Sequence, residues 1–171
     1  MPDAREKNPI EVVLAALEGA RVRYLIVGGV AVVLHGRLRT TADLDLWIEL
    51  ERENLDRAAR TLGALGYRPR APVRLEDLGN PELRRSWIEE KGLLVLSLWR
   101  PNAPLEVDLF VREPFAFQEA HARGVVVHLE STEAHVIGLD DLLVMKRGTG
   151  RALDAEDVQA LESLRDEGGN G

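Results

Sequence analysis

The sequence of 171 residues contains no cysteine. This absence excludes disulfide bonds, thiolate zinc sites and cysteine nucleophiles. The sequence also lacks a run of about 18 apolar residues, the length that predicts a transmembrane helix. Its first residues lack the apolar segment of a secretory signal. We therefore expect a cytoplasmic protein that has no membrane partner.

An excess of positive charge is also lacking. The 22 lysine and arginine residues are outnumbered by 29 aspartate and glutamate residues, which gives a net charge of -7. This balance argues against a general nucleic-acid-binding protein, which usually presents a basic surface. A local basic segment in the middle of the chain could still contact RNA phosphates. Its members are Arg68, Arg70, Arg74, Arg84, Arg85 and Lys91.

Length and composition predict a single domain. A chain of 171 residues fits one domain, and a hydrophobic content of 45% is enough for a sizeable core. We expect this domain to span residues 1–166. The remaining residues, 167–171, are predicted to form a flexible tail because they are polar and rich in glycine.

A glycine pair interrupts the most informative stretch of the chain. The apolar residues 24–27 predict a short buried strand, and Gly28 and Gly29 follow it directly. Residues 30–34 then carry apolar side chains at helical spacing. A strand, a glycine turn and a helix N-terminus together present free backbone N–H groups, which suit a phosphate. Read alone, the pair could equally be a tight connection.

Two aspartates occupy one face of the next predicted strand. Apolar residues alternate from residue 44 to residue 48, a period of two that predicts a strand. Asp43 and Asp45 therefore share the opposite face. Two adjacent carboxylates repel each other unless a cation lies between them, and oxygen ligands select a hard cation such as Mg²⁺ or Mn²⁺. A solvated strand face is the simpler alternative for the pair alone.

A third carboxylate is found by the same alternation. Between residues 105 and 111, Glu106, Asp108 and Phe110 share one side of a predicted strand. If this strand pairs with the strand of Asp45, then Asp108 stands beside Asp45. A third aspartate permits a second metal ion or serves as a general base.

The rest of the pattern mixes helices and strands. Helices are predicted at residues 10–20, 52–65, 139–147 and 155–165, with Asp154 as the N-cap of the last. Strands are predicted at residues 125–129 and 135–137, and a hairpin at residues 93–99 and 105–111. The remaining segments are an edge strand or loop at residues 67–73 and a short helix or loop at residues 81–90.

In this order, Gly28-Gly29, Asp43-x-Asp45 and the later strand residue Asp108 resemble the nucleotidyltransferase superfamily, whose best-known member is DNA polymerase β. The resemblance implies a single α+β domain with a mixed or antiparallel sheet and flanking helices. It also implies the transfer of a nucleoside monophosphate from an NTP to an acceptor, with loss of pyrophosphate. Two Mg²⁺ or Mn²⁺ ions would then bridge the triphosphate and the three carboxylates.

Two further segments, 37–45 and 138–157, are similar to small prokaryotic nucleotidyltransferases, including toxins of the abortive-infection type. In those proteins a lysine and an arginine that match Lys146 and Arg151 lie near the active site. Together with Arg39, these two residues are our candidates for nucleotide phosphate contacts. Each has a simpler alternative, because a lysine is ordinary on a helix and Arg151 could simply pair with Asp154.

The acceptor stays open at this level. The resemblance allows the 3′ end of a tRNA, as in toxin-like relatives, or a lincosamide or aminoglycoside antibiotic. It also allows a protein hydroxyl, as in small antitoxins that modify a partner toxin, so a cognate toxin or antitoxin is an expected partner. A different class of function is a domain that binds a nucleotide or a protein partner without catalysis.

Overall fold

The computed structural model describes residues 7–169, which form seven α-helices, one short 3₁₀ helix and seven strands. The helices are α1 (Pro9–Gly19), α2 (Gly28–Leu34), α3 (Arg52–Ala64), α4 (Pro81–Lys91), α5 (Phe117–Arg123), α6 (Leu139–Arg147) and α7 (Ala152–Gly168). The strands are β1 (Tyr24–Val27), β2 (Asp43–Ile48), β3 (Arg68–Pro69), β4 (Val95–Trp99), β5 (Glu106–Phe110), β6 (Val125–His128) and β7 (Glu133–Val136). The 3₁₀ helix is Leu75–Gly79.

All seven strands belong to one sheet, in the order β3-β4-β5-β2-β1-β7-β6. The pairs β1–β7 and β2–β5 are parallel, and the other four are antiparallel. The sheet is therefore mixed, and the predicted α+β class is confirmed. The central strands β1, β2 and β5 carry the glycine turn and the three aspartates, so the candidate site lies at the middle of the sheet.

Side-chain alternation separates the core from the site. Along β2 the apolar residues Leu44, Leu46 and Ile48 are buried, and along β5 Val107 and Leu109 are buried as well. Successive side chains of a strand point to opposite faces, so the polar residues between them face away from this part of the core. Helix α2 contacts β1 and β2 and also contacts α6, which packs in turn against α7.

Most predicted elements are present. Residues 139–147 form a helix with the predicted bounds, and β4 and β5 pair as the predicted antiparallel hairpin. Strand β3 lies at the edge of the sheet, as two nearby prolines predict. Residues 81–91 form a helix and not a loop. The side chain of Asn80 caps the N-terminus of this helix, and Gly92 ends the helix with a positive φ of 62°.

Three local features differ from the prediction. Helix α7 begins at Ala152 with Arg151 as its N-cap residue, so Asp154 is not the cap. Its carboxylate instead accepts hydrogen bonds from Lys146, Thr149 and Arg151. Helix α5 and the 3₁₀ helix were not predicted. Of the predicted tail, residues 170–171 lie outside the described residues, and the single domain with its tail stays a prediction.

Within residues 7–169, no helix is both long and apolar enough to cross a membrane.

Candidate active site

The glycine pair joins β1 to α2 and lies against the site residues. Gly28 has a φ of +65°, and a Cβ atom added there would lie 2.1 Å from Oδ2 of Asp45. A Cβ atom at Gly29 would lie 2.6 Å from a terminal nitrogen of Arg39 and 2.9 Å from Oγ1 of Thr41. Real Cβ atoms do not approach so closely. Gly28 therefore needs glycine for its contact with Asp45, and Gly29 leaves the space that Arg39 and Thr41 occupy, so the turn is more than a tight connection.

The strand register brings the aspartates together. Asp45 of β2 is opposite Val27 of β1 on one side and opposite Asp108 of β5 on the other. Asp43 is opposite Glu106 in the same parallel pair. The two aspartate strands do pair, which is the condition for Asp108 to stand beside Asp45. Four carboxylates consequently lie on two neighbouring strands at the end of β1.

This concentration of negative charge perturbs Asp45 most. Burial raises the pKa of Asp45 from 3.8 to about 6, and the charges of Asp108 and Asp43 add to the effect. The charge of Lys146 and a hydrogen bond from the backbone N–H of Gly29 act in the opposite direction and favour the carboxylate. The pKa of Asp45 is nevertheless raised, so these two groups do not compensate the charge at the site.

The oxygen donors of the site are of the chemical type that a hard divalent cation prefers. Burial raises the pKa of Asp43 too, with contributions from Asp108 and Glu106. The Oδ1 atom of Asp108 is buried and has no hydrogen-bond partner among residues 7–169. Across the same residues, no group of three or more His, Cys, Asp or Glu side chains is gathered tightly enough to hold a metal ion. Mutual repulsion opposes such gathering, so the metal role of Asp43, Asp45 and Asp108 stays a prediction.

A buried ion network stands behind the glycine turn. The Nζ atom of Lys146 is 2.7 Å from Asp154 Oδ1 and 3.1 Å from Asp157 Oδ2. Arg37 and Arg39 reach the same Asp157, at 3.0 Å and 3.6 Å. Lys146 is only 6% exposed, and Asp157 is completely buried. Two carboxylates of helix α7, those of Asp154 and Asp157, thus pair with Lys146, Arg37 and Arg39.

Arg151 lies at the start of α7 and is the solvent-exposed member of this network. Its Nε atom donates to Asp154 at 2.7 Å, so the simple pairing considered from the sequence is present. The side chain is 74% exposed, in contrast to that of Lys146. An exposed arginine with one partner can reach a ligand by rotating its side chain, which a buried lysine cannot do.

All eight residues selected from the sequence line one cavity of about 370 Å³. The sequence did not point to Thr40 and Thr41, which line it as well, nor to Asp157 behind it. Asp154 and Asp157 are three residues apart and so share a face of α7. This spacing was the only sign in the sequence that the two carboxylates act together. Their contact with Lys146, which shows what they bind, is visible only in the tertiary structure.

Comparisons with known proteins address the fold. No protein-family model matches the chain, and no curated protein matches it. Among solved structures, the chain is similar to the lincosamide antibiotic adenylyltransferase LnuA with lincomycin bound, at 16% identity and a TM-score of 0.62, over 91% of this chain and 95% of that chain.

Two other solved structures are similar. One is an antigenic nucleotidyltransferase-like protein from Paracoccidioides brasiliensis, at 16% identity and a TM-score of 0.59, over 91% of this chain and 72% of that chain. The other is ANT(2″)-Ia in complex with adenylyl-2″-tobramycin, at 14% identity and a TM-score of 0.53, over 92% of this chain and 93% of that chain. The chain therefore has the nucleotidyltransferase fold that its motifs predict.

Proposed function

We propose that this chain is a metal-dependent nucleotidyltransferase, which moves a nucleoside monophosphate from an NTP to an acceptor hydroxyl and releases pyrophosphate. The observation that carries the proposal is a cavity, in a chain with the nucleotidyltransferase fold, whose lining includes the glycine turn, three aspartates and three cationic side chains. Because NTPs are its donor, we also propose that the protein works in the cytoplasm.

The phosphate contacts follow from the charges around the glycine turn. The missing side chains of Gly28 and Gly29 leave room for Asp45, Arg39 and Thr41 beside the turn, and the backbone N–H groups at a helix N-terminus suit a phosphate. Arg39, Lys146 and Arg151 supply positive charge on the same cavity. Arginine binds phosphate oxygens with two parallel hydrogen bonds, and lysine acts as a point charge. We assign these three side chains to the triphosphate.

The three aspartates have two roles in this proposal. Asp43, Asp45 and Asp108 would hold Mg²⁺ or Mn²⁺, which supplies charge neutralisation for the triphosphate. Asp108 would also accept the proton of the acceptor hydroxyl. The acceptor oxygen then forms a bond to the α-phosphorus, the bond between this phosphorus and the bridging oxygen breaks, and pyrophosphate leaves on the opposite side.

A small hydroxylated molecule is the acceptor that we favour over a tRNA. Two of the similar structures contain lincomycin and adenylyl-2″-tobramycin. Half of the middle basic segment is engaged within the protein, because Arg70 pairs with Glu106 and Arg74 pairs with Glu76. Arg84 is buried and donates to a backbone carbonyl. A toxin that acts on tRNA, an enzyme that modifies a partner protein and a nucleotide-binding domain without catalysis remain outcomes of the test.

The test is a transfer assay with α-labelled NTPs, Mg²⁺ or Mn²⁺ and a whole-cell extract, followed by separation into RNA, protein and small molecules. We expect label in the small-molecule fraction. Asp45→Asn should abolish the transfer, whereas Asp140→Asn, which changes an exposed carboxylate on α6, should retain it. NTP binding with no transfer to any fraction refutes catalysis, and activity of Asp45→Asn refutes the metal role.

A further inference from the structure

A second cavity, of about 360 Å³, adjoins the first. The two cavities share five lining residues, which are Gly28, Asp45, Asp108, Lys146 and Arg151. Six residues line the second cavity and not the first, and none of them is charged. They are Val95, Ser97 and Phe110 from β4 and β5, with Leu142, Met145 and Thr149 from α6 and the residues after it.

The strand register explains why this second cavity is apolar. Val95 is opposite Phe110, and Ser97 is opposite Asp108, in the antiparallel pair of β4 and β5. Cross-strand partners share a face of the sheet, so Val95 and Phe110 lie on the face of Asp108. Val95 and Phe110 are only half-buried. Leu96, which follows Val95 in the strand and points to the other face, is fully buried. Apolar side chains therefore border the carboxylates.

The two cavities differ in polarity, and a transfer reaction needs one site for phosphates and one for the acceptor. Besides the shared residues, the first cavity has Gly29, Arg39 and two threonines, which suit phosphates, together with the carboxylates of Asp43 and Asp154. An in-line displacement places the attacking hydroxyl and the leaving pyrophosphate on opposite sides of the phosphorus. If pyrophosphate leaves toward Gly29 and Arg39, then the hydroxyl enters from the side of Asp108, where the second cavity lies.

We infer that the second cavity is the acceptor subsite, and that it takes a neutral molecule with a compact apolar body and a hydroxyl group directed at Asp108. The inference rests on the proposed function for the role of Asp108. A cavity of this size belongs to the range of about 300 to 1,000 Å³ that holds small ligands. Its two cations, Lys146 and Arg151, line both cavities, and the six residues that line only the second cavity are uncharged. That uncharged part of the wall does not suit a polyphosphate chain.

The test uses ¹H–¹⁵N NMR of the full chain with benzyl alcohol, which joins a neutral apolar ring to one hydroxyl group. We expect binding at about millimolar affinity, with shifts at Val95, Phe110 and Leu142. Glycerol, a hydroxylated molecule without an apolar body, should cause no such shifts. Mg²⁺ with α,β-methylene ATP should shift Gly28 and Gly29 and leave benzyl alcohol bound.

Variants fill the cavity from opposite walls. Val95→Trp on β4 and Met145→Trp on α6 should each weaken benzyl alcohol binding at least about tenfold, because the added ring takes the ligand's apolar contacts. Two positions are used so that a folding defect in one variant leaves the other informative. Val126→Trp, at an exposed position on the edge strand β6, is the matched control and should bind as the wild type does.

Three results overturn the inference. Displacement of benzyl alcohol by the nucleotide analogue, with shifts at Val95 and Phe110, assigns the cavity to the nucleobase. Equal binding of glycerol, or unchanged benzyl alcohol binding in both filled variants, shows that the cavity is not an apolar subsite. Failure of the proposed function is distinct, because the transfer assay then gives no product while benzyl alcohol still binds in this cavity.

Discussion

Asp45→Asn should make the metal-free protein more stable at neutral pH, although it removes a residue that we assign to catalysis. The pKa of Asp45 is raised from 3.8 to about 6 in the folded protein. Below pH 3.8 the carboxyl is protonated in both the folded and the unfolded chain. Between pH 3.8 and about 6 the unfolded chain loses this proton while the folded protein still holds it, so the free energy of unfolding falls across this range and stays low above about pH 6.

The magnitude follows from the two pKa values. A tenfold change in an ionisation constant corresponds to about 1.4 kcal/mol. A difference of about two in pKa therefore lowers the free energy of unfolding by up to about 3 kcal/mol above pH 7. Asparagine keeps the shape and an oxygen acceptor for the N–H of Gly29 but carries no charge. The pKa of about 6 already includes the attraction of Lys146, so the loss of that attraction needs no separate allowance.

The assay is urea unfolding at pH 4 and pH 7.5 in EDTA, followed by tryptophan fluorescence, with the buried Trp47 as a reporter. We expect nearly equal stability at pH 4 and a more stable Asp45→Asn variant at pH 7.5. Mg²⁺ without EDTA should stabilise the wild type and not the variant, because a ligand that binds the folded state stabilises it. A variant that is less stable than the wild type at pH 7.5 refutes the reasoning.

Two other substitutions test the elements around the aspartates. Gly28→Ala should reduce transfer activity by about a hundredfold and destabilise the protein by about 1 to 3 kcal/mol, because its Cβ atom collides with Asp45 and its φ is positive. Asp154→Ala should lower the free energy of unfolding by about 3 kcal/mol, since Lys146 stays buried without its nearest carboxylate. Urea unfolding and the labelled-NTP assay measure both effects.

Each of these substitutions has a matched control. Gly92 has nearly the same φ, 62°, and no atom lies within 4 Å of its added Cβ atom. Gly92→Ala therefore measures backbone strain alone, and an equal loss of activity there would contradict the role of Gly28. The double variant Lys146→Met with Asp154→Leu should recover most of the stability lost in Asp154→Ala, because it removes both charges of this pair while Asp157 keeps Arg37 and Arg39 as partners. No recovery would mean that Asp154 stabilises α7 in another way.

Short-range patterns sufficed for the individual elements of the site. The strand before Gly28, the aspartate pair on β2 and the position of Asp108 all follow from an alternation of period two over a few residues. Helix α6 was predicted with correct bounds because its apolar spacing is regular. Helix α5 was missed because it is only seven residues long, too short for a clear apolar period. Its Phe117 packs edge-on against Trp47, a contact between distant segments that no local pattern shows.

The sequence by itself determined which side chains could do the chemistry, since alternation fixes the face of each aspartate and the glycine pair marks a close approach. Only the tertiary structure decided that β2 and β5 are parallel neighbours, so that Asp45 and Asp108 meet. It also decided that Asp154 and Asp157 hold Lys146 and that an apolar cavity adjoins the carboxylates. These contacts join segments far apart in the chain, and no local periodicity encodes which of them pack together.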